Sequence, residues 1–294
     1  MRLVSVILLA LAVVGAAAVT FMPASLRDGY IISLQRHYHV WLASTGQPMP
    51  GTPDVARFED RLRDKGLALG SPILMRIFKR EFELEVWMLK NGRYELFATY
   101  PICKWSGRLG PKLVTGDRQA PEGFYSVDRG ALNPNSRWHR SFNLGFPNPY
   151  DRSHARTGSF LMVHGGCGSI GCFAMTNPVI DEIWTLLNRA FDGGQKRFQA
   201  QVFPFRMTEA NLARYDGDQW STFWADLKTG HDLFEKDRLP PAVGVCSKRY
   251  TFVSGLKTGD VTGPVTNQCP TANNTAALGN FPKVGLPPTT VPEL

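Results

Sequence analysis

The segment Phe160-Leu161-Met162-Val163-His164-Gly165-Gly166-Cys167-Gly168-Ser169-Ile170-Gly171-Cys172 concentrates the chemistry-bearing residues of this 294-residue chain. An apolar stretch delivers a histidine, and a glycine-rich run that lets backbone approach a ligand closely leads on to a cysteine. A cysteine nucleophile needs a base to make its thiolate and backbone N–H groups aimed at the oxyanion that develops in acyl transfer. His164 is the candidate base and Cys172 the candidate thiol. The N–H groups of Gly171 and Cys172 are the candidate oxyanion donors, with Gly165 and Ser169 shaping the site. Ser169 either orients the histidine or caps a turn. Asn177-Pro178 opens a helix five residues after Cys172, and a helix N-terminus favours a thiolate.

Two structural readings compete with acyl transfer. His164, Cys167 and Cys172 could ligate a structural zinc, but no second ligand pair stands at the usual short spacing, so no metal is expected. A Cys167–Cys172 disulfide would consume the one cysteine nucleophile with a histidine so near. Cys167 reads instead as a small packed residue or a redox neighbour. No cofactor is implied. The five cysteines, Cys103, Cys167, Cys172, Cys246 and Cys269, are an odd number, so at least one is unpaired within the chain. Pairing among the others is open; a Cys246–Cys269 bridge would tie down the C-terminal segment.

The elements that must hold this segment are β-rich. From Ile73 the pattern has period two: Phe82, Leu84, Val86 and Met88 alternate with Glu83, Glu85 and Trp87. Asn91-Gly92 then predicts a hairpin turn into a strand over 93–102. Further strands are expected over 123–127, 141–146 and 160–164, between Gly, Pro and Asn clusters that read as loops. A helix starts at Asn177-Pro178, buries Ile180, Ile183, Trp184 and Leu187, and stops at Gly193-Gly194. A strand through Phe198, Ala200 and Val202 follows. Helices over 208–215 and 219–228 carry Trp220, Phe223, Trp224 and Leu227 as core. Upstream, Ile31, Leu34, Tyr38 and Trp41 share one helical face, and Thr52-Pro53 begins a second helix in which Val55, Phe58 and Leu62 repeat before Gly66. The expected organisation is a signal peptide or N-terminal anchor over 1–22, a helical preamble over 23–70, a catalytic domain over 71–252 and a disordered tail over 253–294.

Composition bounds these readings. With 43% apolar and 20% charged residues, the chain has ample core and cannot be wholly disordered. One apolar stretch approaches membrane-spanning length, which excludes a polytopic membrane protein. The net charge of +8 suits an anionic partner. The basic residues do not cluster, however, and no nucleic-acid signature is readable, so no nucleic-acid partner is expected. Arg2 precedes the apolar run 3–19, and Gly15-Ala16-Ala17-Ala18 offers a signal-peptidase site. The run persists through Phe21-Met22, so an uncleaved anchor is the alternative, and that segment is then the one membrane contact. Either way the expected location is periplasmic or cell-envelope, where disulfides persist.

The run HGGCGSIGCFAM resembles the Ser-x-Gly-Cys active-site motif of the L,D-transpeptidase (YkuD-type) catalytic domain, and is most similar to its YafK-type branch. The resemblance extends to RIFKREFELEVW at 76–87, YPICKWSGRLGPKLVTGDRQAPEGFY at 100–125, FPNPYD at 146–151 and FPFRMT at 203–208. It covers about 71–250. It implies a β-rich α+β fold, a β-sandwich catalytic domain with flanking helices. Cys172 is implied as the acylated nucleophile and His164 as its base. The implied substrates are peptidoglycan stem peptides, attacked at diaminopimelate, and a peptidoglycan-attached protein is a further possible partner. An amine acceptor completes transpeptidation and water completes hydrolysis, so an amidase using the same site is the alternative. An idle wall-binding module would not need an unpaired cysteine beside a histidine. Two features depart from the broader family: Ile170 stands where many members have His, and His164 is only eight residues ahead of Cys172. Lys112, Arg118, Tyr125, Asn148, Asp151 and Arg156 fall in family-like loops where they could hold stem-peptide carboxylates. His139 and His154 lie in the same polar loops, either near substrate or as surface residues. Oligomeric state is not legible.

Overall fold

A computed structural model describes residues 22–255 and 263–269. The predicted export segment, apart from Met22, and most of the predicted tail lie outside the described residues.

The stretch ILMRIF has no polar face, and as β1 (Ile73–Phe78) it is buried at every position. A strand covered on both sides needs such a run. It lies at the centre of a five-stranded sheet ordered β3-β2-β1-β10-β5, with β2 (Glu83–Lys90), β3 (Arg93–Pro101), β5 (Gly123–Asp128) and β10 (Arg197–Phe203). Asn91 and Gly92 both have positive φ, 51° and 79°, which is the turn their dipeptide predicts. A second sheet, ordered β4-β9-β8-β7-β6, contains β4 (Lys104–Trp105), β6 (Leu132–Ser136), β7 (His139–Asn143), β8 (Met162–His164) and β9 (Phe173–Ala174).

The two sheets share one core. Met75, Ile77, Val86 and Ala200 of the first meet Trp105, Phe142, Val163 and Phe173 of the second. The long amphipathic helix adds Val179, Ile180, Ile183 and Leu187. The outer side of the first sheet, with Phe78, Phe124 and Phe203, is covered by Phe223, Trp224 and Leu227 and by a hairpin bearing Val243, Val245 and Tyr250. The helices are α1 (Ala24–Ser44), α2 (Phe58–Asp64), α3 (Pro149–Ser153), α4 (Asn177–Asp192), α5 (Glu209–Ala213) and α6 (Ser221–Asp237). The hairpin is β11 (Ala242–Cys246) and β12 (Arg249–Val253). This is the expected β-rich α+β class. Among the described residues, no helix is long and apolar enough to cross a membrane.

Several elements differ from expectation. The last helix, expected to stop at 228, runs on to Asp237 because Phe234 packs with Leu74, Trp87 and Tyr94. The hairpin β11–β12 lies where no strand is expected. The disordered tail expected from 253 is corrected at its start. Val253 ends β12, Thr266 bridges to β11 through Val245 N to Thr266 O (3.0 Å) and Thr266 N to Val243 O (3.1 Å), and Cys246 is disulfide-bonded to Cys269. Backbone pairing and a covalent link hold a stretch whose composition alone offers little to bury. Cys103 is bonded to Cys167, so the packed or redox-neighbour reading of Cys167 gives way to a crosslink between the β4 edge and the glycine-rich loop.

Candidate active site

β8 and β9 pair in parallel, Val163 opposite Phe173 and His164 opposite Ala174. Extending that register by one residue places Cys172 beside Met162. Alternate residues of a strand share a face, so Met162, His164 and Cys172 face the same way while Val163 and Phe173 point into the core. The sequence folds this way because the apolar stretch before His164 and the pair after Cys172 both have a buried side to satisfy. The glycine-rich loop is what lets two neighbouring strands run in the same direction so close together. Gly171 has φ +118°, a conformation that excludes most L side chains, and at Gly165 a Cβ would stand 2.6 Å from Asn177 Oδ1.

The tautomer of His164 follows from its partner. Its Nδ1 lies 2.5 Å from Gly165 O, and a carbonyl oxygen can only accept, so Nδ1 carries the proton and Nε2 is left with its lone pair. Burial pushes the imidazole below its ordinary value, against the Gly165 bond, which favours the charged form. Burial pushes the Cys172 thiol up, opposed by the Met162 N–H and the charge of Lys112. Both shifts favour a neutral thiol beside a neutral imidazole. Sγ accepts from Met162 N (3.4 Å) and donates to Phe160 O (3.6 Å). Cys172 is the one free cysteine among the described residues.

The loop around the thiol is pinned from outside the motif. Ser169 Oγ donates to Cys172 O (2.6 Å), so Ser169 caps the turn and does not touch His164. Gly171 N donates to Ser106 Oγ, and Ser106 Oγ lies 3.4 Å from Ser169 Oγ. Ser106, 65 residues from Gly171, carries no signal in the sequence that would have picked it out. The Gly171 N–H is thus engaged before any substrate arrives. The start of α4 faces the other end of the loop: Asn177 Oδ1 accepts from Gly166 N (2.9 Å). Exposed Trp138, Phe160 and Ile170 flank the pair, and the Trp138 ring lies 6.0 Å from that of His164. Trp138 is a second residue that sequence reasoning missed. A separate cavity of about 630 Å³ opens behind the loop, lined by Met49, Gly166, Cys167, Asn177 and Pro178 among others, and neither His164 nor Cys172 lines it.

The six polar residues expected in loops are not brought together as one patch, and two of them are not in loops: Tyr125 is on β5 and Asp151 in α3. Asn148 caps α3, accepting from Asp151 N (2.8 Å) and donating through Nδ2 to Phe124 O and Tyr250 OH (each 2.7 Å). Asp151 is fully buried, accepts from Tyr125 OH (3.3 Å) and pairs with buried Arg156 (2.8 Å). These four form an interior network beneath α3. Lys112 is buried and reaches Asp117 Oδ1 (2.5 Å) and Val114 O (2.9 Å), which curls the loop that carries it. Arg118 is exposed at the tip of that loop. His139 bonds to Asp181 Oδ1 (2.8 Å) and His154 stacks on Tyr150 at 4.2 Å. Among the described residues no group of three His, Cys, Asp or Glu could hold a metal ion.

The β-sandwich carries a free cysteine and a lone-pair imidazole on one face, and residues 81–203 match the YkuD family, the L,D-transpeptidase catalytic domain. The chain belongs to this family. Over 188 residues, 64% of this chain and 76% of the relative, it is 48% identical to the Escherichia coli (strain K12) protein named "Putative L,D-transpeptidase YafK", and the counterpart in Escherichia coli O157:H7 matches equally. Among solved structures, the helical cell shape determining protein Pgp2 from Campylobacter jejuni is 19% identical, with a TM-score of 0.37 over 61% of this chain and 68% of that one. Bd1075 of Bdellovibrio bacteriovorus is 18% identical, with a TM-score of 0.34 over 57% and 62%. Likeness that loose carries no functional reading.

Proposed function

We propose that this protein is an envelope cysteine acyltransferase that opens peptidoglycan stem peptides at diaminopimelate through a thioester on Cys172. His164 Nε2 takes the thiol proton as Sγ attacks the carbonyl carbon. The tetrahedral intermediate then collapses, the bond to the group beyond breaks, and the proton passes to the leaving amine. An acceptor amine forms a new amide, or water forms a carboxylate, and the thiol returns. The N–H groups of Gly171 and Cys172 hold the oxyanion, which requires the Gly171 N–H to exchange Ser106 Oγ for substrate oxygen. Lys112 lends its charge to the thiolate, and the guanidinium of exposed Arg118, on the same loop as Lys112, is the group among the six polar residues suited to a stem-peptide carboxylate. Export through the N-terminal segment fits the Cys103–Cys167 and Cys246–Cys269 disulfides, which persist in oxidising compartments.

The observation that carries this reading is the shared face of β8 and β9, with Nδ1 of His164 committed to Gly165 O and Nε2 free to take a proton. Incubating the protein with defined muropeptides and reading product masses tests it. Loss of the terminal residue with formation of cross-linked dimers is expected for transfer, and loss or cleavage without dimers assigns hydrolysis by the same thioester. Unchanged masses contradict both.

A further inference from the structure

Helix α1 is apolar on two sides. Its inner side buries Ile32 and Leu42 and is fastened by polar bonds: Asp28 to Arg80 Nε (2.8 Å) and Arg214 Nη2 (3.2 Å), and His39 Nδ1 to Ile102 O (2.9 Å). Arg36 Nη2 reaches Gly107 O (3.1 Å), the residue after Ser106. Its outer side carries Leu26, Tyr30, Ile31, Leu34, Tyr38 and Trp41, each 46–64% exposed. At 3.6 residues per turn these six fall within about 140° of arc. They are half of the twelve exposed large apolar side chains among the described residues. A helix apolar all round is normally covered all round, and a contiguous exposed apolar patch marks an interaction surface.

We propose that this outer stripe rests on the surface of a lipid bilayer. The sequence leading into it is the first reason. From Leu3 to Leu26 there is no charged residue, and the apolar run 3–19 is separated from the start of α1 by only residues 20–23. The stripe therefore continues, on a folded helix, the segment of the chain most suited to lipid. Its composition is the second reason, since Tyr30, Tyr38 and Trp41 are the residue types that gather at the membrane–water interface. Arg27 falls within the same arc, where a guanidinium can rise to lipid phosphates, and the net charge of +8 favours an anionic surface. Because Asp28, Arg36 and His39 lock α1 to the catalytic domain, docking of the stripe would fix the orientation of the Cys172 face to the membrane. This tethering is independent of the acyl-transfer reading and can fail without it.

The full chain, reconstituted into phosphatidylethanolamine–phosphatidylglycerol vesicles with brominated acyl chains, tests this by tryptophan quenching. Residues 1–21 contain no tryptophan, so quenching reports contact by the folded part. The wild-type protein should be quenched, and Trp41→Phe should lose most of that quenching. Tyr30→Glu/Leu34→Glu should still float with the vesicles through residues 3–19 and keep its melting temperature, yet lose the quenching. A wild-type protein that is not quenched, or a Trp41→Phe variant quenched as strongly as wild type, overturns the proposal, since Trp41 is then not in contact with lipid.

Discussion

His164 can act as a base only while Nε2 is unprotonated, and its burial extends that state to lower pH than an ordinary imidazole allows. Its value lies below the usual one of about 6.5, so activity should hold as pH falls through 6.5 and fail only below it. The same depression means that the native state binds fewer protons than the unfolded chain in that window, so this residue's contribution to stability is also lost as pH falls. His164→Ala should slow turnover at neutral pH by about 10²–10⁴-fold, with partial rescue at alkaline pH. Because burial raises the Cys172 thiol, rescue should begin only above the ordinary thiol value of about 8.5. A kcat/KM profile of the variant with the wild-type shape would assign the base to another residue. The closeness of His164 and Cys172 was legible in the sequence because one short segment holds both, together with the glycines between them. Ser106 and Trp138 were not, since each reaches the site from a distant strand edge or turn. Tyr125, Asn148, Asp151 and Arg156 stood out as polar residues between elements, but a sequence does not distinguish polar groups facing solvent from those folded over their own hydrogen bonds.

The loop that carries Ser106, Lys112 and Gln119 to the edge of the site is held by a buried ion pair. Lys79 Nζ is fully buried and bonds Glu122 Oε1 (2.8 Å), Gly110 O (2.9 Å) and Ala120 O (3.1 Å). Glu122 in turn accepts from Gly110 N (2.7 Å) and Trp224 Nε1 (2.8 Å). Removing one partner leaves a buried charge uncompensated, so Lys79→Met should lower stability by about 3–5 kcal/mol, and Lys79→Met/Glu122→Leu should recover a large part of it. Denaturant midpoints of the two variants decide this; equal losses would mean that the pair is not the fastening. At this scale, elements with a strong period were legible. The β2–β3 hairpin, α4 and β10 each have an apolar face and a clear stop signal. The two-residue strands β4 and β9 have too few residues to show a period, and β6 is broken by Pro134.

Two disulfides join distant parts of the molecule, one fastening the glycine-rich loop before Cys172 and one between β11 and the segment after it. Cysteine counting required a leftover thiol but could not pair the rest, because Cys103 and Cys167 are 64 residues apart and meet only once the second sheet forms. The Cys246–Cys269 bridge closes a 23-residue separation, for which the loop-entropy effect is about 3 kcal/mol. Cys246→Ser should therefore lower the melting temperature while leaving turnover at permissive temperature nearly unchanged, because β11 packs on the side of the first sheet away from Cys172. A loss of turnover without a loss of stability would place this end of the molecule in the reaction. The thioester itself is read from the mass of the whole protein. Rapid acid quench during turnover of a stem peptide should reveal an added acyl mass that maps to the peptide containing Cys172 and is absent in Cys172→Ala, which should also be inactive. Product formation by Cys172→Ala at a rate near wild type would contradict the account.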